Sequence, residues 1–530
     1  MKQVRPVVAP VLAFVAASMD RGYQTDFWHH LARGREIVRQ GVVVDADPFT
    51  FTAGGHLLRD ANWLTQVGYY RLFEWGGLPL TQFVNALILA TTLAVLFRLC
   101  RRVSGSSAAA MGVGVFVFLG LWQLFLIRPQ TLSLLLFVIL LGVLHEAVHR
   151  PRLLFVPPII MSLWANVHGG FPIGLVLIGA FAVAGVVDPI HRFIRAIRGH
   201  KPSQFQGVTT DTNTEIGASE GAMGSPFVGA DECAESKGRR IAFFHLLCLA
   251  GSAGATLLNP YGWKVYQYVG DIAHTAAARH VEEWLPPTID LWIGKVFWAS
   301  VLAVVLLYVA SRRRPTVREM CLIVCFLPLA SRSMRMVAWW LLAMAPIIAS
   351  LLSATLMRDS EARPARRSVA AAAILVLLAG VSVMSLPWLD RYNPLFAGVR
   401  SSHRTEADLN AVCQRGLAGP SANARVFARL EWGEYLDWAL GPERRVFMDG
   451  RIEAYSDPQW KEYCTITSGA AGWEQLLDGY KVDCLMLDTT YHGRLLSKVR
   501  RSEMWRETCA SGSAVLFVRQ NRQRVAAINP

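Results

Sequence analysis

Residues 130–147 read QTLSLLLFVILLGVLHEA, a segment whose first charged side chain is Glu146, near its end. About 20 such apolar residues form a helix that crosses the hydrocarbon core of a bilayer. The whole chain has a matching composition, since 53% of its 530 residues are hydrophobic, 17% are charged and the mean hydropathy is +0.32. Ordinary soluble domains carry about 25% charged residues. The sequence therefore predicts an integral membrane protein.

Further apolar windows lie on both sides of this segment and bring the number of predicted transmembrane helices to about eleven. They cover residues 4–18, 79–99, 107–126, 153–166, 171–190, 241–258, 293–310, 317–331, 336–356 and 367–387. The first window, in MKQVRPVVAPVLAFVAAS (1–18), also has the charged start and short apolar stretch of a cleaved signal peptide. We favour an uncleaved helix, and under both interpretations the next loop lies outside.

Basic residues accumulate in every second loop, and this pattern predicts the orientation of the helices. Lys and Arg near helix ends stay preferentially in the cytoplasm. The N-terminus is then cytoplasmic, while the loop at 19–78 and the chain after about 388 are external. Most of the formal net charge of +14 follows from this topology, so nucleic acid is not an expected partner. The basic loops include Arg98, Arg101 and Arg102, Arg150 and Arg152, and Arg312, Arg313 and Arg314.

Two segments differ from the apolar module at 1–387. Residues 202–239 are rich in Gly, Ser, Thr and Glu, which predicts a disordered cytoplasmic loop. Residues 388–530 have a globular composition in which strand-like and helix-like periods alternate, and this predicts a small external α/β domain. The strand-like segments are ARVFARL, RRVFMDG, VDCLMLD and SAVLFVRQ, and the helical ones are WGEYLDWAL, GWEQLLDGY and LLSKVRRSEMW.

Four cysteines lie in this predicted external domain: Cys413, Cys464, Cys484 and Cys509. An oxidising compartment would permit one or two disulfides among them, in a pairing that the sequence leaves open. Cys484 lies within an apolar strand, where a buried thiol is the more usual state.

The first external loop contains TDFWHHLARGREIVRQ (25–40), which predicts an amphipathic helix on the membrane surface. Thr25 suits the N-cap and Gly41 the C-terminal stop. The apolar face would carry Phe27, Leu31, Gly34 and Val38, and the opposite, solvated face His29, Arg33, Glu36 and Gln40. On this interpretation the histidines and arginines have no part in chemistry. Asp26, in the first turn, is either a capping acid favoured by the helix dipole or a base at the mouth of the bundle.

Eight segments, from the first loop to the predicted external domain, carry a resemblance to a known family: TDFWHHLARGREIV, DADPFTFT, NWLTQVGYYRLFEWGG, RPQTLSLLLF, WANVHGGF, LNPYGW, WGEYL and VFMDGR. They resemble a group of bacterial multi-span proteins described as GT-C-like or family-39-like glycosyltransferases. Enzymes of the GT-C class transfer sugars from polyprenyl-phosphate carriers at the outer face of a membrane. The resemblance implies a GT-C-like fold in the bacterial inner membrane, with a periplasmic C-terminal domain. It also implies a polyprenyl-phosphate-sugar donor and a glycan, lipid or protein as acceptor.

Asp26 matches the position at which this class keeps a catalytic acid in its first loop. The class often has a second external acid, and Asp47, Asp60, Glu282 and Glu283 are available for that role. We include Glu283 among the residues that line the cavity. A divalent cation, Mg²⁺ or Mn²⁺, is then a candidate cofactor whose ligands the sequence does not define. Asp45 and Asp47 form a DxD pair before Pro48, which we interpret as a turn.

A lipid-phosphate leaving group gains negative charge as the glycosidic bond breaks, so cations are expected beside it. Candidates at external helix ends are Arg128, His168, Arg332 and Arg335. The alternative for each is a side chain that reaches lipid headgroups. Asn166 and Asn259 would line a polar cavity or else form turns. In VFMDGR, Asp449 and Arg451 are either an acceptor site or an internal ion pair.

The resemblance, together with these positions, thus implies a glycosyltransferase that uses a lipid-phosphate sugar donor, with Asp26 as base and the basic residues around the phosphate. Two alternatives remain open. A transporter or flippase of lipid-linked sugars would also place polar groups in the bundle, although such proteins usually contain matched repeats. A non-catalytic protein would use the bundle only to anchor the external domain.

Overall fold

The apolar segments of the chain are helical, because a helix satisfies its backbone hydrogen bonds without water. The computed structural model describes residues 3–19, 25–43, 45–55, 59–199, 228–356, 369–392, 404–417, 424–442 and 444–520. The helices up to residue 392 are α1 (Val8–Ser18), α2 (Thr25–Gln40), α3 (Trp63–Ser104), α4 (Ser107–Leu121), α5 (Gln130–Ala147), α6 (Val156–Val167), α7 (Pro172–Gly199), α8 (Val228–Ala255), α9 (Lys264–Ala278), α10 (Trp292–Ser311), α11 (Val317–Arg332), α12 (Met334–Leu356) and α13 (Val369–Met384).

Each of the eleven predicted segments coincides with one of these helices. Among the described residues, five helices are long and apolar enough to cross a membrane: α3, α4, α5, α10 and α12. Five others, α1, α6, α7, α8 and α13, contain shorter apolar stretches. The chain is therefore a helical membrane protein, while the number of eleven spans stays a prediction.

Helix α3 is longer than the predicted span because it begins in the first loop. Its backbone leaves helical geometry at Gly76 and Gly77, and Gly77 has a φ of 64°. Glycine adopts this left-handed conformation without steric cost, and Pro79 suits the first turn of the helix that follows. The Gly–Gly pair thus separates a loop helix from the predicted span at 79–99.

Helix α2 has the predicted bounds, but its polar face is not solvated. His29, Arg33 and Glu36 are all less than 5% exposed. The helix packs against α3 on one side and against the C-terminal part of the chain on the other. The prediction of a helix lying on the membrane surface with these residues in solvent is therefore wrong. Part of the chain that is distant in the sequence, the C-terminal region, packs on this helix.

The chain beyond residue 404 forms a mixed sheet with helices on its faces, as the α/β pattern predicted. The sheet order is β1-β2-β4-β3, with β1 parallel to β2 and the other two pairs antiparallel. The elements are α14 (Arg404–Gly416), β1 (Val426–Ala428), α15 (Leu430–Leu440), α16 (Asp457–Ser468), α17 (Trp473–Gly479), β2 (Cys484–Asp488), α18 (Gly493–Val499), β3 (Trp505–Ser511) and β4 (Ala514–Arg519).

Two of the predicted elements in this region are different in the structure. RRVFMDG is not a strand, since only Val446 forms bridges, to Thr50 and Val426, before the chain turns at a buried ion pair. The predicted helix LLSKVRRSEMW ends at Val499, and Trp505 begins β3. Strand β3 is an edge strand with mostly exposed side chains. Its sequence is therefore polar and lacks the apolar pattern by which strands are recognised.

The first loop and the C-terminal region share one hydrophobic core. Phe27 and Leu31 of α2 belong to the same buried cluster as Trp432 and Leu436 of α15. The loop also pairs with the C-terminal backbone, where Val446 N donates to Phe49 O at 3.0 Å and Phe51 N donates to Val446 O at 3.1 Å. The predicted boundary near residue 388 therefore does not separate two independent cores.

The predicted disordered loop at 202–239 falls mostly outside the described residues, since 202–227 are not among them. Residues 228–239 form the start of α8, where the sequence predicted no regular structure. Ala, Glu and Lys in this part are good helix formers and extend the apolar helix that follows. The four cysteines predicted to lie in the external domain, Cys413, Cys464, Cys484 and Cys509, are all free thiols, and Cys484 is buried as expected.

Candidate active site

Asp26 lies in the first turn of α2 and binds Arg128, which precedes α5. Arg128 Nε is 3.0 Å from Asp26 Oδ2, and Arg128 Nη1 donates to Glu283 Oε1 at 2.6 Å. Glu283 lies in a short 3-10 helix at Glu282–Trp284. Three residues that are far apart in the sequence thus form one continuous ion-pair chain.

Arg335 extends this chain from the start of α12. Its Nη1 is 3.7 Å from Glu283 Oε2, and its guanidinium lies 5.5 Å from the centre of the Trp284 ring. Ser333 Oγ donates to the backbone oxygen of Glu283 at 3.1 Å. Four of the predicted site residues, Asp26, Arg128, Glu283 and Arg335, are therefore brought together at one end of the bundle.

Arg128 is held in its charged form although its side chain is only 19% exposed. Burial alone would lower the pKa of its guanidinium, but the carboxylates of Asp26 and Glu283 more than offset this and raise the pKa above its ordinary value. A permanent cation flanked by two acids is the result. A phosphate group could compete with either carboxylate for the same donors.

His168 lies near Arg335 but does not supply the predicted positive charge. Burial, with smaller contributions from Arg335 and His30, lowers the pKa of His168 to about 3. Its Nδ1 accepts a hydrogen bond from Gly170 N at 3.1 Å and lies 2.8 Å from Ser133 Oγ. His168 is therefore a neutral imidazole at neutral pH, and its ring is fixed by the turn between α6 and α7.

His30 is one turn beyond Asp26 on α2 and joins the site, although the sequence interpretation gave it no role. Gln66 Nε2 lies 3.1 Å from His30 Nδ1 and also donates to Asp60 Oδ2. Since an amide nitrogen only donates, Nδ1 is the acceptor and the ring proton is on Nε2. Burial lowers the pKa of His30, partly offset by Asp60 and Asp26, so it is a neutral imidazole beside the Asp26 carboxylate.

Glu434 of WGEYL is a second residue that the sequence did not place in the site. It lies on α15 and is 5% exposed, and within the described chain its Oε2 has no hydrogen-bond partner. Burial, followed by the nearby carboxylates of Asp26 and Asp449, raises the pKa of Glu434 well above its ordinary value, while Arg128 opposes the shift. The sequence feature that could have identified Glu434 is the WGEYL motif, which is one of the segments that carry the family resemblance.

Three other predicted residues do not join the ion-pair chain. Arg332 is exposed, and no ion pair connects it to the site in the part of the chain that the structure describes. Asn166 accepts from Trp63 Nε1 at 2.9 Å and donates to Leu258 O at 2.7 Å, so it connects α6 to neighbouring segments beside an apolar groove. Asn259 bonds within its own turn, to Thr256 O, Gly262 O and Tyr261 N.

Asp47, another of the acidic candidates, makes structural contacts. Asp47 accepts from the backbone of Phe49 and Thr50, which fits the predicted turn. It also binds Arg451 at 2.9 Å, and Arg451 binds Asp449, so the internal ion pair is the observed arrangement in VFMDGR. These three side chains are buried and connect the first loop to the C-terminal region.

Comparison with known proteins supports the fold. No protein-family model matches the chain, and no curated protein sequence matches it. The crystal structure of an oligosaccharyltransferase from Archaeoglobus fulgidus in the apo form is similar, with a TM-score of 0.53 over 92% of this chain and 70% of that one. The two sequences are 13% identical, so the likeness concerns the fold alone. The chain therefore has a GT-C-like membrane fold.

Proposed function

We propose that this protein is a membrane glycosyltransferase that takes a sugar from a polyprenyl-phosphate donor and transfers it to an acceptor at the external face. The observation that supports this most is the convergence of Asp26, Arg128, Glu283 and Arg335 from four distant segments. An acid beside two guanidiniums at one end of an apolar bundle suits a reaction that releases a phosphate. The GT-C-like fold is consistent with the same class of reaction.

In the proposed reaction an acceptor oxygen attacks the anomeric carbon of the sugar, and the bond from that carbon to the phosphate oxygen breaks. The acceptor proton goes to Asp26, which acts as general base, and the negative charge goes to the leaving phosphate. Arg128 and Arg335 stabilise this charge by direct hydrogen bonds. To reach them, the phosphate takes the positions that the carboxylates of Asp26 and Glu283 occupy beside the guanidiniums.

A divalent cation does not fit this cluster as it is arranged. Asp26 and Glu283 could offer carboxylate oxygens to Mg²⁺ or Mn²⁺. Arg128 binds both of them, however, so a cation between these two acids would have to displace a guanidinium. No step of the proposed reaction is therefore assigned to a metal.

The test is Asp26→Asn in a strain that lacks the native gene, with envelope glycans and lipid-linked sugars measured by mass spectrometry. Loss of a general base typically lowers the rate by about 100-fold to 10,000-fold. We expect the product glycan to disappear and its lipid-linked donor to accumulate. Asp45→Asn is the matched control, because this exposed acid lies in the same loop and outside the site.

Both variants must be present in the membrane at the level of the unaltered protein. Normal glycan output from Asp26→Asn would refute the assignment of Asp26 as base. Movement of the donor across vesicles without any transfer would instead favour a flippase.

A further inference from the structure

A cavity lies at the end of the helical bundle opposite to Asp26. Its volume is about 520 Å³, and it is enclosed by α3, α5, α11 and α12. Arg128 directly precedes α5, whereas Gly142 and Glu146 near the other end of α5 line this cavity. A helix of this length spans about 27 Å. The two sites therefore lie at opposite ends of the membrane-spanning bundle.

The cavity has an excess of positive charge. Both carboxylates of the lining already have partners. Glu146 binds Arg102 at 2.6 Å. Glu319 accepts a hydrogen bond from Thr316 N at 2.7 Å and also pairs with Arg313. Among the arginines and glutamates of the lining, four positive charges stand against two negative ones, which leaves two positive charges. The charged lining residues are Arg98, Arg102, Arg313, Arg318, Glu146 and Glu319.

The other walls of the cavity are apolar. Val95 and Leu99 of α3 face it, as do Leu322 of α11 and Ile347 of α12. A volume of this size is typical of small-molecule sites. This combination of basic residues and an apolar wall suits an amphiphilic anion. Its charged group would contact the arginines, and its hydrocarbon part would contact the apolar wall.

We propose that this cavity binds the phosphate group of an anionic ligand at the end of the bundle that the basic loops assign to the cytoplasm. Arginine guanidiniums bind phosphate oxygens through paired hydrogen bonds, which a zwitterionic headgroup would satisfy less well. The phosphate could belong to an anionic phospholipid of the membrane or to a soluble phosphate ester. This inference does not depend on the proposed transferase activity, because it concerns different residues at the other end of the bundle.

The test uses the full-length protein, delipidated in detergent and titrated with phosphatidylglycerol or phosphatidylcholine under native mass spectrometry. A second arm measures the shift in thermal unfolding caused by inorganic phosphate and glycerol 1-phosphate. We expect phosphatidylglycerol to bind more tightly than phosphatidylcholine. A response to the soluble phosphates alone would assign the site to a soluble ester. Absence of both responses would overturn the proposal.

Charge variants locate the binding in this cavity. Arg98→Gln combined with Arg102→Gln is expected to weaken binding of the phosphate ligand by about 30-fold, because each basic group near a membrane surface contributes roughly a fivefold effect. The matched control is Arg101→Gln combined with Arg314→Gln, which removes the same charge from the same end of the bundle but outside the cavity lining. Equal losses in the two double variants would contradict a specific site.

A second variant fills the cavity without changing any charge. A Cβ at Gly142 would meet no atom within 4 Å, so a side chain at this position can extend into the open space. Gly142→Leu is expected to abolish binding and leave thermal unfolding of the ligand-free protein nearly unchanged. Gly112→Leu is its control, since Gly112 also has open space and lies on α4, away from the cavity. Unchanged phosphate binding in Gly142→Leu would place the ligand elsewhere.

Discussion

Glu434 is a buried acid, and its Oε2 has no hydrogen-bond partner among the described residues. A glutamate in an unfolded chain has a pKa of about 4.3, whereas burial keeps Glu434 protonated to a higher pH in the folded protein. Above pH 4.3 the unfolded chain binds fewer protons than the folded one at this group. Stability is therefore lost as the pH rises towards the folded pKa.

Glu434→Gln should remove this loss, since glutamine keeps the shape of the protonated acid without its ionisation. We expect the variant to gain thermal stability over the unaltered protein as the pH increases from 5 to 8. Melting curves in detergent at several pH values provide the measurement. A variant that is less stable than the native protein at pH 8 would show that Glu434 is ionised.

Glu431 is the matched control, three residues earlier on the same helix. Burial would raise the pKa of Glu431, but Arg429, bound at 2.9 Å, lowers it overall. The sign is opposite, so this carboxylate stabilises the fold above its unfolded pKa. Glu431→Gln is expected to reduce stability at neutral pH, by a small amount because the pair is partly exposed to solvent.

Helix α2 depends on one glycine for its position. A Cβ at Gly34 would overlap the backbone carbonyl oxygen of Gln66 on α3, so the two helices can pack this closely only with glycine there. Gly34→Ala is expected to push α2 away from α3 and to displace Asp26 from Arg128. We expect a lower melting temperature together with a loss of transferase activity.

Gly68→Ala on α3 provides the comparison for this prediction. A Cβ at Gly68 would have open space, and alanine is the better helix former by up to about 1 kcal/mol. This variant should be as stable as the native protein or slightly more so. If the alanine substitutions at Gly34 and Gly68 behaved alike, the close approach of α2 and α3 would not be what fixes Asp26.

The helices could be predicted from the sequence because an apolar segment long enough to span a bilayer has few other folds available. The start and end of α2 were predictable because Thr25 and Gly41 are local sequence signals, and the helix runs from Thr25 to Gln40. The burial of His29 was not predictable, because Asp437, whose carboxylate lies 3.5 Å from the His29 ring, is far away in the sequence. Glu434 was not predicted as a site residue for the same reason, since it lies far from Asp26 in the sequence.

At the scale of the whole molecule, a buried ion triad connects the first loop to the C-terminal region. Asp47 and Asp449 both bind Arg451. Because these side chains are buried, a charge left without a partner would destabilise the fold strongly. Asp47→Asn removes one charge from this triad and is expected to lower the free energy of unfolding by about 2 kcal/mol. Asp45→Asn, two residues away and exposed, should have no measurable effect.

Limited proteolysis of the purified protein is the suitable readout for this triad. Asp47→Asn should release the C-terminal region at a lower protease concentration than the native protein or Asp45→Asn. Equal protection of all three proteins would mean that the apolar contacts between α2 and α15 hold the two regions together without the triad.

The bond between Arg35 and the backbone of Trp438 joins residues 403 positions apart. During synthesis α2 leaves the ribosome long before α15 exists, and at 5 to 20 residues per second the delay is about 20 to 80 s. Through that interval Phe27, Trp28 and Leu31 have no partner from the C-terminal region to cover them. The nascent first loop is therefore a natural client for a chaperone or for the membrane interface, and it reaches its final position only after α15 has been synthesised.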